Sequence, residues 1–313
     1  YSRGCNWGYG SKLPVGEIKA WLNLELLDRI IEIDDNHGVA TIEPGVTQGQ
    51  LAQELKKRGS RFHLDVTGSG INTSVMGNSL ERGVAYQGLR VDQVSGMEVL
   101  LGNGTILRTG FGDFSNPILS GLYAHGIGPS LLGLFFQSNL GIVLEIKILL
   151  RRTPPCLHAI SLSIEDKNLA PLVEKLIGLT HLGCLHGIPH IADRERLTST
   201  LVPLLQDKRV LSDIEARQLV GRVVRGDWTL TAAVVGTPKV AREKLREVKQ
   251  ALKDFGQVFV NTEPQPPIAA WIRGLLLRSF ATTEQRELLD AAKELRGFHL
   301  GQASNADARF LQD

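Results

Sequence analysis

The sequence predicts an α+β protein of two domains, and three observations support this class. The chain has 313 residues, and a domain takes roughly 150 residues as a prior. Glycine is concentrated in residues 1–150, which hold 23 of the 33 glycines, whereas the remainder alternates strand-like and helix-like segments. An apolar run ends at Arg151-Arg152 and is followed by Pro154-Pro155, which cannot continue a strand. We therefore expect domains at residues 1–152 and 153–313.

The composition excludes several classes of protein. Apolar residues make up 42% and charged residues 22%, as in a globular protein with a sizeable core. A net charge of +2 predicts no nucleic-acid partner, and no apolar stretch approaches the ~18 residues of a membrane span. The three cysteines, Cys5, Cys156 and Cys184, favour a reducing compartment over a disulfide framework. We expect a cytoplasmic location, with a removed targeting segment before Tyr1 left open.

The first half reads as short strands, one helix and a hairpin. Strands are predicted at residues 30–33, 39–43, 94–101, 105–108 and 141–150. Turn-forming residues join the first two strands, and the Gly102-Asn103-Gly104 sequence indicates a hairpin. Thr47 is the predicted N-cap of a helix that stops at Gly59.

The pattern of the second half predicts four strands and four helices. The strands are expected at residues 157–164, 185–191, 229–235 and 257–260, and the helices at 169–179, 212–223, 238–255 and 283–296. Ser212 and Glu215 would form a capping box, and Thr237 would cap a helix that begins with Pro238.

Three segments of the first half carry candidate chemistry. Residues 2–10 hold three glycines among small and amide residues, so their backbone N–H groups could converge on an anion, although a plain turn is the commoner use of such a loop. Residues 67–83 are rich in small polar residues and lack helical or strand periodicity, and such a long loop in a compact domain usually binds something. Residues 128–143 form the third segment.

Together, in this order and spacing, the segments resemble the flavin domain of the vanillyl-alcohol oxidase/p-cresol methylhydroxylase (PCMH) family. The landmarks are Glu43-Pro44-Gly45-Val46-Thr47, Gly77-Asn78 with Glu81-Arg82-Gly83, Ser95-Gly96-Met97-Glu98-Val99, Arg108-Thr109-Gly110, and Gln137-Ser138-Asn139 leading to Val143. The resemblance covers residues 1–150 and continues more weakly through residues 226–228 and 236–237. It implies a PCMH-type FAD-binding domain followed by an antiparallel-sheet substrate (cap) domain with flanking helices.

The resemblance also implies the residues of an FAD site. By position, the residues nearest the pyrophosphate would be Ser2, Gly4, Cys5, Asn6 and Trp7; those holding pyrophosphate and flavin would be Ser74, Asn78, Glu81, Gly83 and Tyr86; those on the adenosine side would be Gly141, Ile142 and Val143. Tyr9 matches a family tyrosine that binds the substrate's phenolate, and a phenolic O–H can stabilise a developing oxyanion. The alternative is that Tyr9 only packs beneath its loop. No metal site is expected, because Pro189 disfavours a helical ligand face for His186 and His190.

Three departures from the family pattern bear on this prediction. The family has a strand–helix–strand unit before the pyrophosphate loop; here that piece is absent from the sequence, supplied by a second subunit, or lost together with FAD binding. Thr67 and Gly68 stand where the family has its active-site aspartate, and Asp65 matches a different family aspartate. The family's covalent flavin link and C-terminal substrate residues have no counterpart before Asp313. We therefore expect non-covalent FAD, with Cys5 as a small loop residue.

The function that the resemblance implies is oxidation of a phenolic or aryl-alkyl alcohol or amine. A hydride would pass from the substrate to flavin N5, and oxygen or an electron-transfer partner would reoxidise the flavin. Two alternatives stay open: a flavin dehydrogenase of 2-hydroxy acids or sugars, since the scaffold is shared, and a non-catalytic or accessory flavoprotein subunit. The expected partners are a small-molecule substrate and further subunits of a homo- or hetero-oligomer.

Overall fold

The computed structural model describes residues 1–5, 16–17, 20–114, 117–206, 210–223 and 226–263. The chain divides into two compact units, the first extending to Thr153 and the second beginning at Pro154. Each unit has its own antiparallel sheet. In the part of the chain just defined, no helix is both long and apolar enough to cross a membrane.

The first unit is built on short strands with few helices. Its strands are β1 (Ile30–Asp34), β2 (Val39–Ile42), β3 (Phe62–His63), β4 (Val84–Ala85), β5 (Gly88–Leu89), β6 (Val94–Leu101), β7 (Ile106–Arg108), β8 (Gly141–Leu149) and β9 (Arg151–Arg152). Its helices are α1 (Gln48–Lys57), α2 (Val75–Leu80) and α3 (Pro117–Leu122), with 3-10 turns at Arg90–Gln93 and Leu132–Phe135. Five strands form one sheet in the order β1-β2-β8-β6-β7, and β3 pairs with β9 and β4 with β5.

Helix α1 shows how local sequence fixes an element of this unit. The Thr47 hydroxyl accepts a hydrogen bond from Gln50 N, and the Gln50 side chain accepts one from Thr47 N. This capping box satisfies two N–H groups that the helix leaves unpaired. Leu51 and Leu55 then bury one face of the helix, one turn apart as an amphipathic helix requires. The predicted N-cap is confirmed.

The second unit has four strands and four helices among its described residues. They are β10 (Cys156–Ile164), α4 (Leu169–His181), β11 (His186–Asp193), α5 (Arg194–Gln206), α6 (Asp213–Val223), β12 (Trp228–Gly236), α7 (Pro238–Leu252) and β13 (Phe259–Glu263), with a 3-10 turn at Asp166–Asn168. The sheet order is β11-β12-β10-β13, with every pair antiparallel. Alternate residues of β10, such as Ile160 and Leu162, pack in one core with Leu172 and Leu176 of α4 and Val248 of α7. The predicted antiparallel sheet with flanking helices is confirmed.

The structure corrects four details of the sequence prediction. Residues 67–83 were expected to lack secondary structure, yet they contain α2, which is short and capped by Ser74. Helix α5 was not predicted, because Pro203 lies inside it and proline is unfavourable within helices. Thr237 is at an N-cap position but its side chain makes no capping hydrogen bond. The last predicted strand begins at Phe259 rather than residue 257, and the helix predicted at 283–296 lies outside the described residues.

Candidate functional site

The N-terminal segment runs against the segment that leads into α2. The Thr73 hydroxyl donates a hydrogen bond to the Cys5 carbonyl at 3.0 Å, and a β-carbon on Gly77 would overlap Ser2 Oγ. Gly4 has a φ of +68°, a conformation that favours glycine. Cys5 is exposed, as expected for a loop residue. Two segments of small residues thus approach each other closely, with backbone N–H groups in both.

Ser74 anchors the start of α2. Its hydroxyl accepts from Gly77 N at 2.9 Å and donates to the Pro44 carbonyl at 2.6 Å. Because a hydroxyl has only one hydrogen to donate, the Ser74 side chain gives its hydrogen to the Pro44 carbonyl and uses its oxygen to cap α2. Val75 N donates to the Val46 carbonyl at 3.0 Å and strengthens the same junction. A direct contact of Ser74 with pyrophosphate stays a prediction.

The loop before α2 is held by a single buried glutamine. Gln48 Nε2 donates to the Thr67 and Gly70 carbonyls at 3.1 and 2.5 Å, and Gln48 Oε1 accepts from Thr67 N at 3.0 Å. The Thr67 and Ser69 hydroxyls lie 2.6 Å apart. Thr67 and Gly68, which the resemblance matches to the family's aspartate, therefore belong to a well-connected loop.

The turn after α2 is bent sharply at Arg82, whose φ is +55°. Gly83 N donates to the Asn78 carbonyl at 2.8 Å, and the Gly83 carbonyl accepts from Arg90 N at 2.8 Å. A β-carbon on Gly83 would lie 2.5 Å from Asn78 Cγ, so glycine is needed here for space. Glu81 is exposed. The structure thus places Asn78, Glu81 and Gly83 at one turn.

Two other groups of predicted site residues lie in ordinary structural positions. Tyr86 is buried, and its backbone N–H donates to the Val66 carbonyl at 3.1 Å. A β-carbon on Gly141 would lie 2.5 Å from Val99 Cγ1 in the neighbouring strand, so packing within the sheet alone explains this glycine. Ile142 and Val143 continue β8 opposite β6. Their predicted contact with adenosine stays a prediction.

Sequence reasoning missed a buried polar network beside the turn. Asp65 is fully buried and accepts hydrogen bonds from Gln87 N at 3.0 Å and Gln93 Nε2 at 2.7 Å. Burial raises the pKa of Asp65, although the nearby Arg90 charge opposes that rise. Burial also lowers the pKa of Arg90 to about 10, with Asp65 acting in the opposite direction. The only sequence signal was Asp65 between Leu64 and Val66, two apolar residues that the structure also buries.

Three of the predicted site residues, Asn6, Trp7 and Tyr9, lie outside the described residues. The only residue predicted to act on the substrate is among them. The described site therefore concerns cofactor binding rather than substrate binding.

Comparison with known proteins identifies the kind of domain. A family model described as an FAD binding domain matches residues 1–110, which lie within the first unit. The first unit is thus an FAD-binding domain, and its close loops around Gly77 agree with that assignment. Glycines that allow a close approach of the backbone suit the binding of a diphosphate.

Two curated relatives and one solved structure show what the chain is similar to. It is 39% identical over 178 residues to 1'-carboxy-chondrochloren decarboxylase of Chondromyces crocatus, covering 56% of this chain and 33% of that protein. It is 29% identical over 273 residues to the 4-cresol dehydrogenase [hydroxylating] flavoprotein subunit of Pseudomonas putida, covering 84% of this chain and 52% of that protein. The structure of p-cresol methylhydroxylase with substrate bound superposes with a TM-score of 0.72 at 22% identity, covering 92% of this chain and 54% of that chain. The chain shares the fold of PCMH-type FAD-binding proteins, and it spans about half or less of the length of these relatives.

Proposed function

We propose that this protein is an FAD-dependent oxidoreductase that removes a hydride from a phenolic or aryl-alkyl substrate. The match to the 4-cresol dehydrogenase flavoprotein subunit carries this proposal, because it extends over 273 residues. The first unit reaches only Thr153, so a match of that length must include part of the second unit. This relative is named for its action on 4-cresol, which is a phenol with an alkyl group.

In this proposal the first unit binds the cofactor through its backbone. The segments at residues 1–5 and 73–77 would hold the diphosphate, since glycines and hydroxyls there let N–H groups approach an anion. The turn at Glu81–Gly83 would lie against the flavin, with Asn78 behind it. Bound FAD supplies the hydride acceptor.

Substrate binding rests on Tyr9. Its hydroxyl would donate a hydrogen bond to the phenolate oxygen and so favour the ionised form of the substrate, which loses a hydride more readily than the neutral phenol. Thr67 and Gly68, which the resemblance puts at the position of the family's aspartate, offer no carboxylate, so the substrate would bind as a phenolate that is already deprotonated or would lose its proton to a group elsewhere.

A second candidate is favoured by the relative with the higher identity. The 39% match over 178 residues is to a decarboxylase of a carboxylated compound, so loss of CO₂ from an acid substrate is the competing reaction. A dehydrogenase of 2-hydroxy acids or sugars and an accessory flavoprotein subunit are the remaining alternatives.

Anaerobic mixing of the FAD-loaded protein with single substrates distinguishes these functions. We expect 4-hydroxybenzyl alcohol to bleach the flavin absorbance and benzyl alcohol, which lacks the phenol, to bleach it far more slowly. Bleaching by a 2-hydroxy acid alone would favour the dehydrogenase, and CO₂ release from a carboxylated aryl substrate would favour the decarboxylase. A flavin that no substrate bleaches would favour the accessory subunit.

A further inference from the structure

The turn that follows α2 holds a strained residue at an exposed position. Among the described residues, Arg82 and Gln137 are the non-glycine residues with positive φ, at +55° and +49°. Such a conformation is unfavourable for an L-residue and persists only where the surroundings enforce it. Both strained residues meet here, because Gln137 N donates to the Leu80 carbonyl at 2.9 Å and Gln137 Nε2 to the Glu81 carbonyl at 3.4 Å. The exposed residue Gln137 therefore holds the turn from its solvent-facing side.

From the interior, the turn is held by Asn78 and Arg90. The Asn78 carboxamide fills the space beside Gly83, and Asn78 Oδ1 accepts from Arg90 Nε at 3.4 Å. Arg90 N also donates to the Gly83 carbonyl at 2.8 Å. One arginine thus supports the turn twice, through its backbone and through the side chain of Asn78.

Folding stability alone does not explain a charged side chain at this position. Arg90 is 0% exposed, and its side-chain hydrogen bonds to Asn78 and to Gln93 Oε1 are long, at 3.4 and 3.5 Å. Its charge is balanced by Asp65, which is also fully buried. Burying such a pair costs solvation that the mutual attraction often fails to recover, and an apolar replacement of similar volume is frequently neutral or stabilising. Because the buried Arg90 charge carries this solvation cost, we infer that Arg90 holds its neighbours in one particular geometry.

We propose that Arg90 is a positioning residue for the FAD site, which fixes the Glu81–Gly83 turn through Asn78 and is itself held by Gln93, whose side-chain amide also donates to Asp65. The proposal rests on the proposed function, since it takes this turn to lie against FAD. Arg90 makes no contact with the cofactor in this account. Its side chain keeps the Asn78 carboxamide against Gly83, and the turn keeps the conformation that FAD requires.

The test is the affinity of the deflavinated full chain for FAD, titrated by quenching of flavin fluorescence. Arg90→Met keeps the side chain's approximate volume and removes its charge and donors. We expect it to weaken FAD binding about tenfold, the equivalent of ~1.4 kcal/mol. Ser120→Ala is the matched control, because Ser120 is also buried and its hydroxyl accepts from Lys147 Nζ at 2.6 Å. It should lower the thermal stability of the apoprotein and leave the FAD affinity unchanged.

A double-mutant cycle separates positioning from general destabilisation. If Arg90 acts through Asn78, Arg90→Met should weaken FAD binding much less in an Asn78→Ala background than in the wild type. Additive effects of the two substitutions on FAD affinity would overturn the proposal. Arg90→Lys carries the test if Arg90→Met fails to fold, because lysine keeps the charge beside Asp65 but cannot reach Asn78 and Gln93 together. It should bind FAD several-fold more weakly than the wild type.

The outcomes also separate this inference from the proposed function. A wild-type chain that fails to bind FAD contradicts the proposed function and the inference together. A wild-type chain that binds FAD, with Arg90→Met or Arg90→Lys binding equally well, contradicts only the role of Arg90.

Discussion

The carboxamide of Asn78 lies against the α-carbon of Gly83, so closely that a β-carbon on Gly83 would sit 2.5 Å from Asn78 Cγ. Asn78 is also buried and joined to Arg90, so it cannot move aside without disturbing the buried network. This contact links the end of α2 to the exposed turn that follows it. Because of this contact, even one added methyl group on Gly83 should disturb the turn.

Gly83→Ala should therefore reduce the flavin content of the purified protein. Forcing a methyl group into this space should cost about 1–3 kcal/mol, as overpacking of a tight interior does, and should displace the Glu81–Gly83 turn. Gly102→Ala is the control, because a β-carbon at Gly102 meets nothing within 4 Å. The ratio of flavin absorbance to protein absorbance measures both variants. Equal flavin content in the two variants would remove this turn from the cofactor site.

Tyr9→Phe should slow substrate oxidation without releasing FAD. The substitution removes one hydroxyl and keeps the ring, and loss of a single oxyanion donor typically costs ~10²–10³ in turnover. The rate of anaerobic flavin bleaching by 4-hydroxybenzyl alcohol measures the effect. Equal rates in wild type and variant would make Tyr9 a packing residue and would favour the hydroxy-acid alternative.

Thr47→Ala should open α1 locally. It removes the hydroxyl that accepts from Gln50 N and leaves the other half of the capping box, from Thr47 N to the Gln50 side chain, and such a loss costs about 1 kcal/mol. Thr237→Ala removes an equivalent residue whose side chain makes no cap hydrogen bond, so α7 should change less. Native-state hydrogen exchange of the amides in α1 and α7 reports each helix separately. A larger loss of protection in α7 would contradict the capping geometry.

Stability should fall in acid partly through Glu43. The Arg29 side chain donates to Glu43 Oε1 at 2.7 and 3.1 Å, and Arg29 N donates to Glu43 Oε2 at 2.8 Å. The hydrogen bond from the Arg29 side chain holds the pKa of Glu43 below its ordinary value of 4.5. Because the folded-state pKa is the lower one, this stabilisation is present above pH ~4.5 and is lost as the pH falls through the folded-state value. Urea unfolding should show a shallower acid dependence for Glu43→Gln than for wild type, and parallel curves would refute the assignment.

Local signals in the sequence predicted much of the fold. The Gly102-Asn103-Gly104 turn between β6 and β7 and the Ser212–Glu215 capping box depend on residues close together in the chain. Such contacts depend on the backbone preferences and capping side chains of neighbouring residues. Both can be recognised from a single sequence. Helix α2 was missed because six residues form a stable helix only with tertiary support, which here comes from Pro44 and Val46.

The candidate site was predicted less completely, for a physical reason. Asp65 and Arg90 are 25 positions apart, and no periodicity indicates that both are buried and that their charges interact. Gly141 is an instructive case, since the family resemblance predicts a contact with adenosine there. The structure shows a close approach to Val99 of the neighbouring strand, which accounts for the glycine whether or not adenosine lies nearby. A glycine marks a close approach of backbone but does not say what approaches it.

The binding of FAD by the purified full chain tests the central claim most directly. The account predicts a yellow protein, or a colourless one that becomes yellow on titration with FAD, at one FAD per chain. Acid denaturation should then leave the flavin in the supernatant, because we expect it to be bound non-covalently. A colourless, folded protein that takes up no FAD at any concentration tested would contradict the account.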